Sequence, residues 1–123
     1  MNILLADDNP EVRSALRLLL EQEPVSASIV EVSDSLGLLV QLRESCPLAV
    51  LLDWELPGSN RGDLLNSLRS CCPKIKVIAL SSKYEARQEA LAAGVDAFVS
   101  KAEPSELILT TLYSLVPGLR SAA

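Results

Sequence analysis

Four short apolar runs in this chain each end on polar residues suited to phosphate and hard-cation chemistry. Residues 3–6 run into Asp7 and Asp8, residues 48–52 into Asp53, residues 77–80 into Ser81, and residues 98–99 reach Lys101 through Ser100. If these runs are parallel strands, their carboxyl ends share one sheet edge, where three carboxylates, a hydroxyl and an ammonium converge. Carboxylates that close repel and raise one another's pKa unless a cation lies among them. Magnesium suits such a set, because it prefers oxygen ligands, keeps waters, and takes one or two carboxylates alongside phosphate oxygens. With no histidine and no cysteine cluster of metal spacing, zinc is disfavoured. A carboxylate beside such an ion can attack a phosphoryl group. That transfer requires positioning and positive charge more than an acid or base. Lys101 offers a point charge and Ser81 a hydroxyl donor.

The elements that must hold these groups follow from the apolar spacing. Residues 2–6 read as a strand. Asn9 or Asp8 caps a helix with Pro10 in its first turn and Val12, Ala15, Leu16, Leu19 and Leu20 on one face, closed by Pro24. Ile29, Val30 and Val32 form a second strand. Ser33 or Asp34 opens a second helix through Leu36, Leu39, Val40 and Leu42, weakened by Gly37. The unbroken run at 48–52 suits a central strand buried on both faces. A loop with Pro57, Gly58 and Gly62 leads to a third helix with Leu64, Leu65 and Leu68 inward. Then come a strand at 75–80, a helix at 83–93 closed by Gly94, a strand at 95–99, and a helix opened by Pro104 with Leu107, Ile108, Leu112 and Leu115. Five strand-then-helix repeats predict an α/β, doubly wound, five-stranded parallel sheet covered on both faces. In order 2-1-3-4-5 the ligand crevice lies between the first and third strands, where Asp7, Asp8 and Asp53 end.

Bulk properties narrow the function. The 123 residues suit a single domain, 1–123 with a core of about 1–117. The 49% hydrophobic content excludes a disordered chain. With 3% aromatics there is little for base stacking, and a net charge of −5 argues against direct nucleic-acid binding. No run approaches the ~18–20 apolar residues of a membrane span, and the start at Met1 lacks a signal-peptide pattern. Cys46, Cys71 and Cys72 read as reduced thiols in a cytoplasmic protein, the adjacent pair lying at a helix end.

The segments ILLADDNP, LLDWELPG, VIALSS and AFVSK together resemble the receiver domain of two-component response regulators, over essentially the whole chain. The resemblance implies a flavodoxin-like fold and a phosphorylation-dependent signalling switch rather than a turnover enzyme. By similarity Asp53 is the phosphoacceptor, Asp8 a direct metal ligand, Asp7 a ligand through metal-bound water, and the Glu55 carbonyl the last protein ligand. The metal is Mg2+, for which Mn2+ can substitute. Ser81 is the switch hydroxyl, Phe98 the switch aromatic and Lys101 the phosphate-pairing lysine. The implied donors are a sensor histidine kinase, a phosphotransfer protein or a small phosphodonor. The implied output is the face of the fourth helix, fifth strand and fifth helix, with Lys83, Tyr84, Arg87, Glu106 and Tyr113 exposed toward an effector or second receiver.

Departures from the family pattern carry their own expectations. The loop Ser59-Asn60-Arg61-Gly62 is one residue longer between glycines than is usual, which should disturb the third helix start more than the metal site. Ala102 stands where proline is common after the lysine, so a trans Lys101–Ala102 bond is expected. Phe98 lacks a phenol hydroxyl, and Glu55 and Lys83 are read as a charged rim pair controlling water access. A receiver-fold interaction module that signals without phosphorylation is the alternative. An aspartyl-phosphate phosphatase is a further one, although such enzymes usually carry Asp-x-Asp at the first strand.

Overall fold

The computed structural model describes residues 1–58 and 60–120. Ser59 and the terminal residues 121–123 lie outside the described residues, and with them part of the lengthened loop and the last residues of the predicted domain. The element order is β1 (Asn2–Ala6), α1 (Pro10–Glu21), β2 (Ser28–Val32), α2 (Ser35–Glu44), β3 (Ala49–Asp53), α3 (Arg61–Cys71), β4 (Lys76–Ser81), α4 (Ala86–Ala93), β5 (Ala97–Ser100) and α5 (Glu106–Leu115). The strands form one parallel sheet in the order β2-β1-β3-β4-β5, the doubly wound, flavodoxin-like arrangement expected from the sequence.

Strand alternation divides the core into two layers. Ile3, Leu5, Ala49, Leu51, Ile78, Leu80 and Val99 face α1 and α5, packing with Leu16, Leu20, Ile108 and Leu112. Leu4, Ala6, Val50, Leu52, Val77, Ala79 and Phe98 face the other way, onto α2, α3 and α4. Every residue of β3 is buried, as a strand covered on both faces requires. The packed body runs past residue 117: Leu119 is buried in the first layer, and Val25 pairs with Arg120 in an antiparallel bridge.

Element ends moved for local reasons. α4 starts at Ala86 rather than at residue 83, because Lys83 and Tyr84 form turns with carbonyls accepting from Ala86 and Arg87. β5 starts at Ala97; just before it Asp96 donates its N–H to Val77 O at 2.9 Å and accepts Val77 N–H through its side chain, not its carbonyl, at 2.7 Å. Gly37 does not break α2: its N–H donates to the Asp34 cap at 2.7 Å. Gly94 ends α4 with φ 110°, the left-handed closure predicted for it. Gly58, at φ 119°, has a use the sequence did not reveal: a Cβ there would lie 1.9 Å from Ser35 Oγ, so the loop after β3 lies against the start of α2.

The edge strand β2 is fastened by charge. Arg17 Nε donates to Glu31 Oε2 at 2.6 Å and Arg13 Nε to Oε1 at 3.1 Å, tying α1 to the sheet. The Arg17 hydrogen bond, opposed by burial and reinforced by Arg13, holds the Glu31 carboxyl below the usual carboxylate range. A lowered folded-state pKa stabilises the fold above the unfolded value, and that contribution disappears as pH falls through the folded value. Glu31→Gln is therefore expected to cost about 1 kcal/mol near neutrality and little in acid, read from urea melts at several pH values.

The cysteine reading is corrected. Cys46 and Cys72 form a disulfide, and only Cys71, exposed at the end of α3, is a free thiol. The two half-cystines lie 26 residues apart, and only the return of α3 to the edge where β3 begins brings them together. A closed loop of that length restricts the unfolded chain, so reduction is expected to lower stability by about 3 kcal/mol, measured as the urea midpoint with and without dithiothreitol.

Candidate functional site

The carboxyl ends of β1, β3, β4 and β5 deliver the polar residues to one edge. Asp7 N–H extends the β1 ladder by donating to Val32 O at 3.1 Å. The Asp7 side chain then accepts Asn9 N–H at 2.9 Å, and Asn9 in turn caps α1 by accepting Glu11 N–H. This run of turn-forming side chains sets the direction in which the acidic pair leaves the sheet. Asp53 is the last residue of β3, paired in register with Leu80, and Ser81 follows on β4. Lys101 N–H donates to Ser81 O at 2.8 Å, which places the lysine beside both strands.

Asp7, Asp8 and Asp53 each present a carboxylate oxygen, all within 4.8 Å of one another. Asp7 and Asp53 are buried and Asp8 is exposed. Lys101 Nζ lies 2.8 Å from Asp7 Oδ2 and 3.5 Å from Asp53 Oδ1. Burial pushes the Asp53 carboxyl above its ordinary range and the Asp7 charge adds to this, against the lowering effect of the Glu55 N–H bond at 3.0 Å. Burial alone would lower the Lys101 ammonium, but the Asp7 hydrogen bond and the charges of Asp53 and Asp7 outweigh it and hold it above the usual lysine value. Three carboxylates facing one ammonium leave an excess of negative charge in a partly buried, oxygen-only site. Those donors fit a hard divalent cation such as Mg2+.

The other predicted residues take unequal places. Ser81 is fully buried, and its hydroxyl donates toward both Glu55 carboxylate oxygens at 2.9 and 3.0 Å while accepting Lys83 N–H at 3.0 Å. The expected Glu55–Lys83 rim pair is absent among the described residues: the Glu55 carboxylate bonds Ser81, and Lys83 enters only through its backbone. Phe98 is buried in the layer that contains Ala86 and Ala90 of α4. Without a phenol hydroxyl, nothing draws its ring to solvent. Of the residues expected on the output face, Lys83, Tyr84, Arg87 and Glu106 are exposed. Tyr113 is not: it is half-buried, with its hydroxyl donating to Glu23 at 3.2 Å beyond α1. All described peptide bonds are trans, Lys101–Ala102 included. The lengthened loop ends at Asn60, whose side chain caps α3 by accepting Gly62 and Asp63 N–H.

One neighbour of the site was missed by sequence reasoning. Trp54, directly after Asp53, is buried and donates its indole N–H to Glu89 of α4 at 3.0 Å. Arg61 lies over the ring at 5.6 Å from its centroid, donates to the Trp54 carbonyl, and sits 3.7 Å from the same Glu89 oxygen. A tryptophan after an apolar strand reads as core, and only its position in LLDWELPG hinted at more. A cleft of about 530 Å³ opens at the opposite sheet edge among Pro47, Leu48, Ile75 and Leu115, but none of its lining residues is acidic and it is remote from these groups.

Known proteins agree with this geometry. The response regulator receiver domain family matches residues 3–113. The chain is 30% identical over 120 residues to the transcriptional activator protein ExaE of Pseudomonas putida, covering 96% of this chain and 56% of that protein. It is 32% identical over 119 residues to the nitrate/nitrite response regulator protein NarL of Escherichia coli K12, covering 94% and 55%. The chain thus spans about half the length of the curated relatives it matches. Among solved structures, the Francisella response regulator 1452 receiver domain superimposes with a TM-score of 0.81 at 21% identity, covering 94% of this chain and 96% of that one. A LuxR-family two-component response regulator from Aurantimonas gives 0.84 at 24% identity, covering 98% and 88%; at these identities both show the fold. Given the sequence match over residues 3–113 and an acidic cluster at the carboxyl edge of a 2-1-3-4-5 sheet, the chain belongs to the response regulator receiver domains of two-component signalling.

Proposed function

We propose that this domain is a switch operated by phosphorylation of Asp53, with a sensor histidine kinase, a phosphotransfer protein or a small acyl phosphate as donor. The observation that carries the reading is the convergence of the Asp53 carboxylate, the Asp7–Asp8 pair and the Lys101 ammonium at one sheet edge. An Asp53 oxygen attacks the phosphorus, and the bond to the donor's nitrogen or oxygen breaks with its electron pair leaving on the donor. Lys101 is near enough to shift from the carboxylates toward the incoming phosphoryl oxygens. Asp8, Asp53 and the Glu55 carbonyl would hold Mg2+, with Asp7 acting through water, and the bound ion would supply charge that neutralises those oxygens. The unequal roles of the two acids are supported by their environments: Asp7 is engaged by Asn9 N–H and Lys101, whereas Asp8 is exposed.

The new phosphoryl oxygens are acceptors that draw on the Ser81 hydroxyl, and Phe98 passes the change to α4. The output surface is the exposed side of α4, β5 and α5, offered to an effector or a second receiver. Incubation with acetyl phosphate and Mg2+ tests the reading by intact mass: addition of one phosphoryl group per chain is expected, and no addition would overturn it.

A further inference from the structure

Resting on the reading of Asp53 as phosphoacceptor, we propose that the Glu55 side chain is a positioning residue that holds the Ser81 hydroxyl in the resting state and must release it when phosphate arrives. A serine hydroxyl has one proton to donate. Here that proton is shared between the two Glu55 carboxylate oxygens at 2.9 and 3.0 Å, and Lys83 N–H occupies the oxygen from the other side at 3.0 Å. Ser81 is fully buried, so water does not offer its hydroxyl another partner.

A phosphoryl group on Asp53 is an acceptor that can bond Ser81 only by taking that same proton. Two anionic acceptors therefore compete for one donor, and both bonds are of the strong, charge-assisted kind. Glu55 touches both ends of this competition. Its backbone N–H donates to Asp53 Oδ1 at 3.0 Å while its side chain, 26 residues in sequence from Ser81, holds the hydroxyl. Phosphorylation two residues away also adds charge of the same sign as the Glu55 carboxylate, which favours its departure. The equilibrium between the two Ser81 positions is thus biased toward rest by Glu55 and toward the signalling form by phosphate.

The apparent affinity for a phosphoryl mimic is reduced by the fraction of molecules held at rest. Titration with beryllium fluoride and Mg2+, followed by the emission of Trp54, the chain's single tryptophan, measures that affinity. Glu55→Ala is expected to raise it about tenfold and Glu55→Gln, which keeps one neutral acceptor, by less. Removing a negative charge near the site would also raise affinity, so the deciding comparison is a double-mutant cycle with Ser81→Ala. In the Ser81→Ala background most of the gain from Glu55→Ala should vanish. An equal gain in both backgrounds, or no gain in either, overturns the latch while leaving the phosphoacceptor reading intact. Failure of the wild-type chain to bind overturns both. Should Glu55→Ala fail to fold in thermal melts, the cycle is completed with Glu55→Gln.

Discussion

Asp53→Asn incubated with acetyl phosphate and Mg2+ is expected to gain no phosphoryl group, where the wild-type chain is expected to gain one. The substitution preserves shape, and the amide oxygen can still accept Glu55 N–H as Asp53 Oδ1 does at 3.0 Å. What it removes is the anionic oxygen proposed to attack phosphorus, so a loss to background rather than a partial one is expected. Phosphorylation of Asp7 or Asp8 in its place would appear as residual mass gain and would reassign the acceptor. The same variant has an opposite effect on stability. Burial holds the Asp53 carboxyl above its ordinary range, with Asp7 adding to the shift. A carboxyl with a raised folded-state pKa favours the fold below its unfolded value, and that contribution is lost as pH rises through the folded value. In chelator at neutral pH, Asp53→Asn should therefore be more stable than wild type by about 1 kcal/mol, a gap that closes in acid. A variant that neither labels nor melts higher would show that the fold, not the nucleophile, had been damaged.

Magnesium carries the second large effect. Asp7, Asp8 and Asp53 bring three negative charges within 4.8 Å, against which the chain sets one ammonium. A cation bound by the folded state alone stabilises it by RT ln(1 + [L]/Kd), about 1.4 kcal/mol at tenfold excess over Kd. That is a rise of several degrees in Tm for a domain of this size. Asp8→Asn should abolish most of the rise, because its exposed carboxylate is the member of the cluster with no hydrogen bond or ion pair to the described residues. Differential scanning fluorimetry over a Mg2+ series, with EDTA as reference, reads both curves. An unchanged Mg2+ response in Asp8→Asn would move the ion elsewhere. Because the cluster keeps an excess of negative charge even beside Lys101, the response should also be larger at low ionic strength, where that charge is less screened.

The two effects act on one charge balance. Lys101 bridges Asp7 and Asp53, whose charges stabilise its ammonium. In the proposed switch, phosphorylation would draw the same lysine toward new oxygens. On this proposal a small domain switches because few groups would be shared among alternative partners: Lys101 between two carboxylates and phosphate, and the Ser81 proton between Glu55 and phosphate. Each exchange needs only a differential affinity for one state.

Local sequence pattern was enough for the order of elements, the parallel sheet and the identity of the polar residues at strand ends. Those properties depend on periodicities of two and of about 3.6 residues and on caps such as Asn9, Asp34 and Gly94, all of them local. The acidic cluster was legible for the same reason: once the strands are parallel, residues that end them must meet at one edge. Which partner each polar atom takes depended instead on how the whole chain packs. Glu55 bonds Ser81 instead of forming a rim pair with Lys83. Trp54 joins Glu89 across to α4, Cys46 closes on Cys72, and Tyr113 turns toward Glu23 rather than to the output face. These pairs are separated by 26, 35, 26 and 90 residues. A side chain at that separation selects among several partners by distances of an ångström or two, which are set by how helices seat on the sheet and leave no periodic trace in the chain.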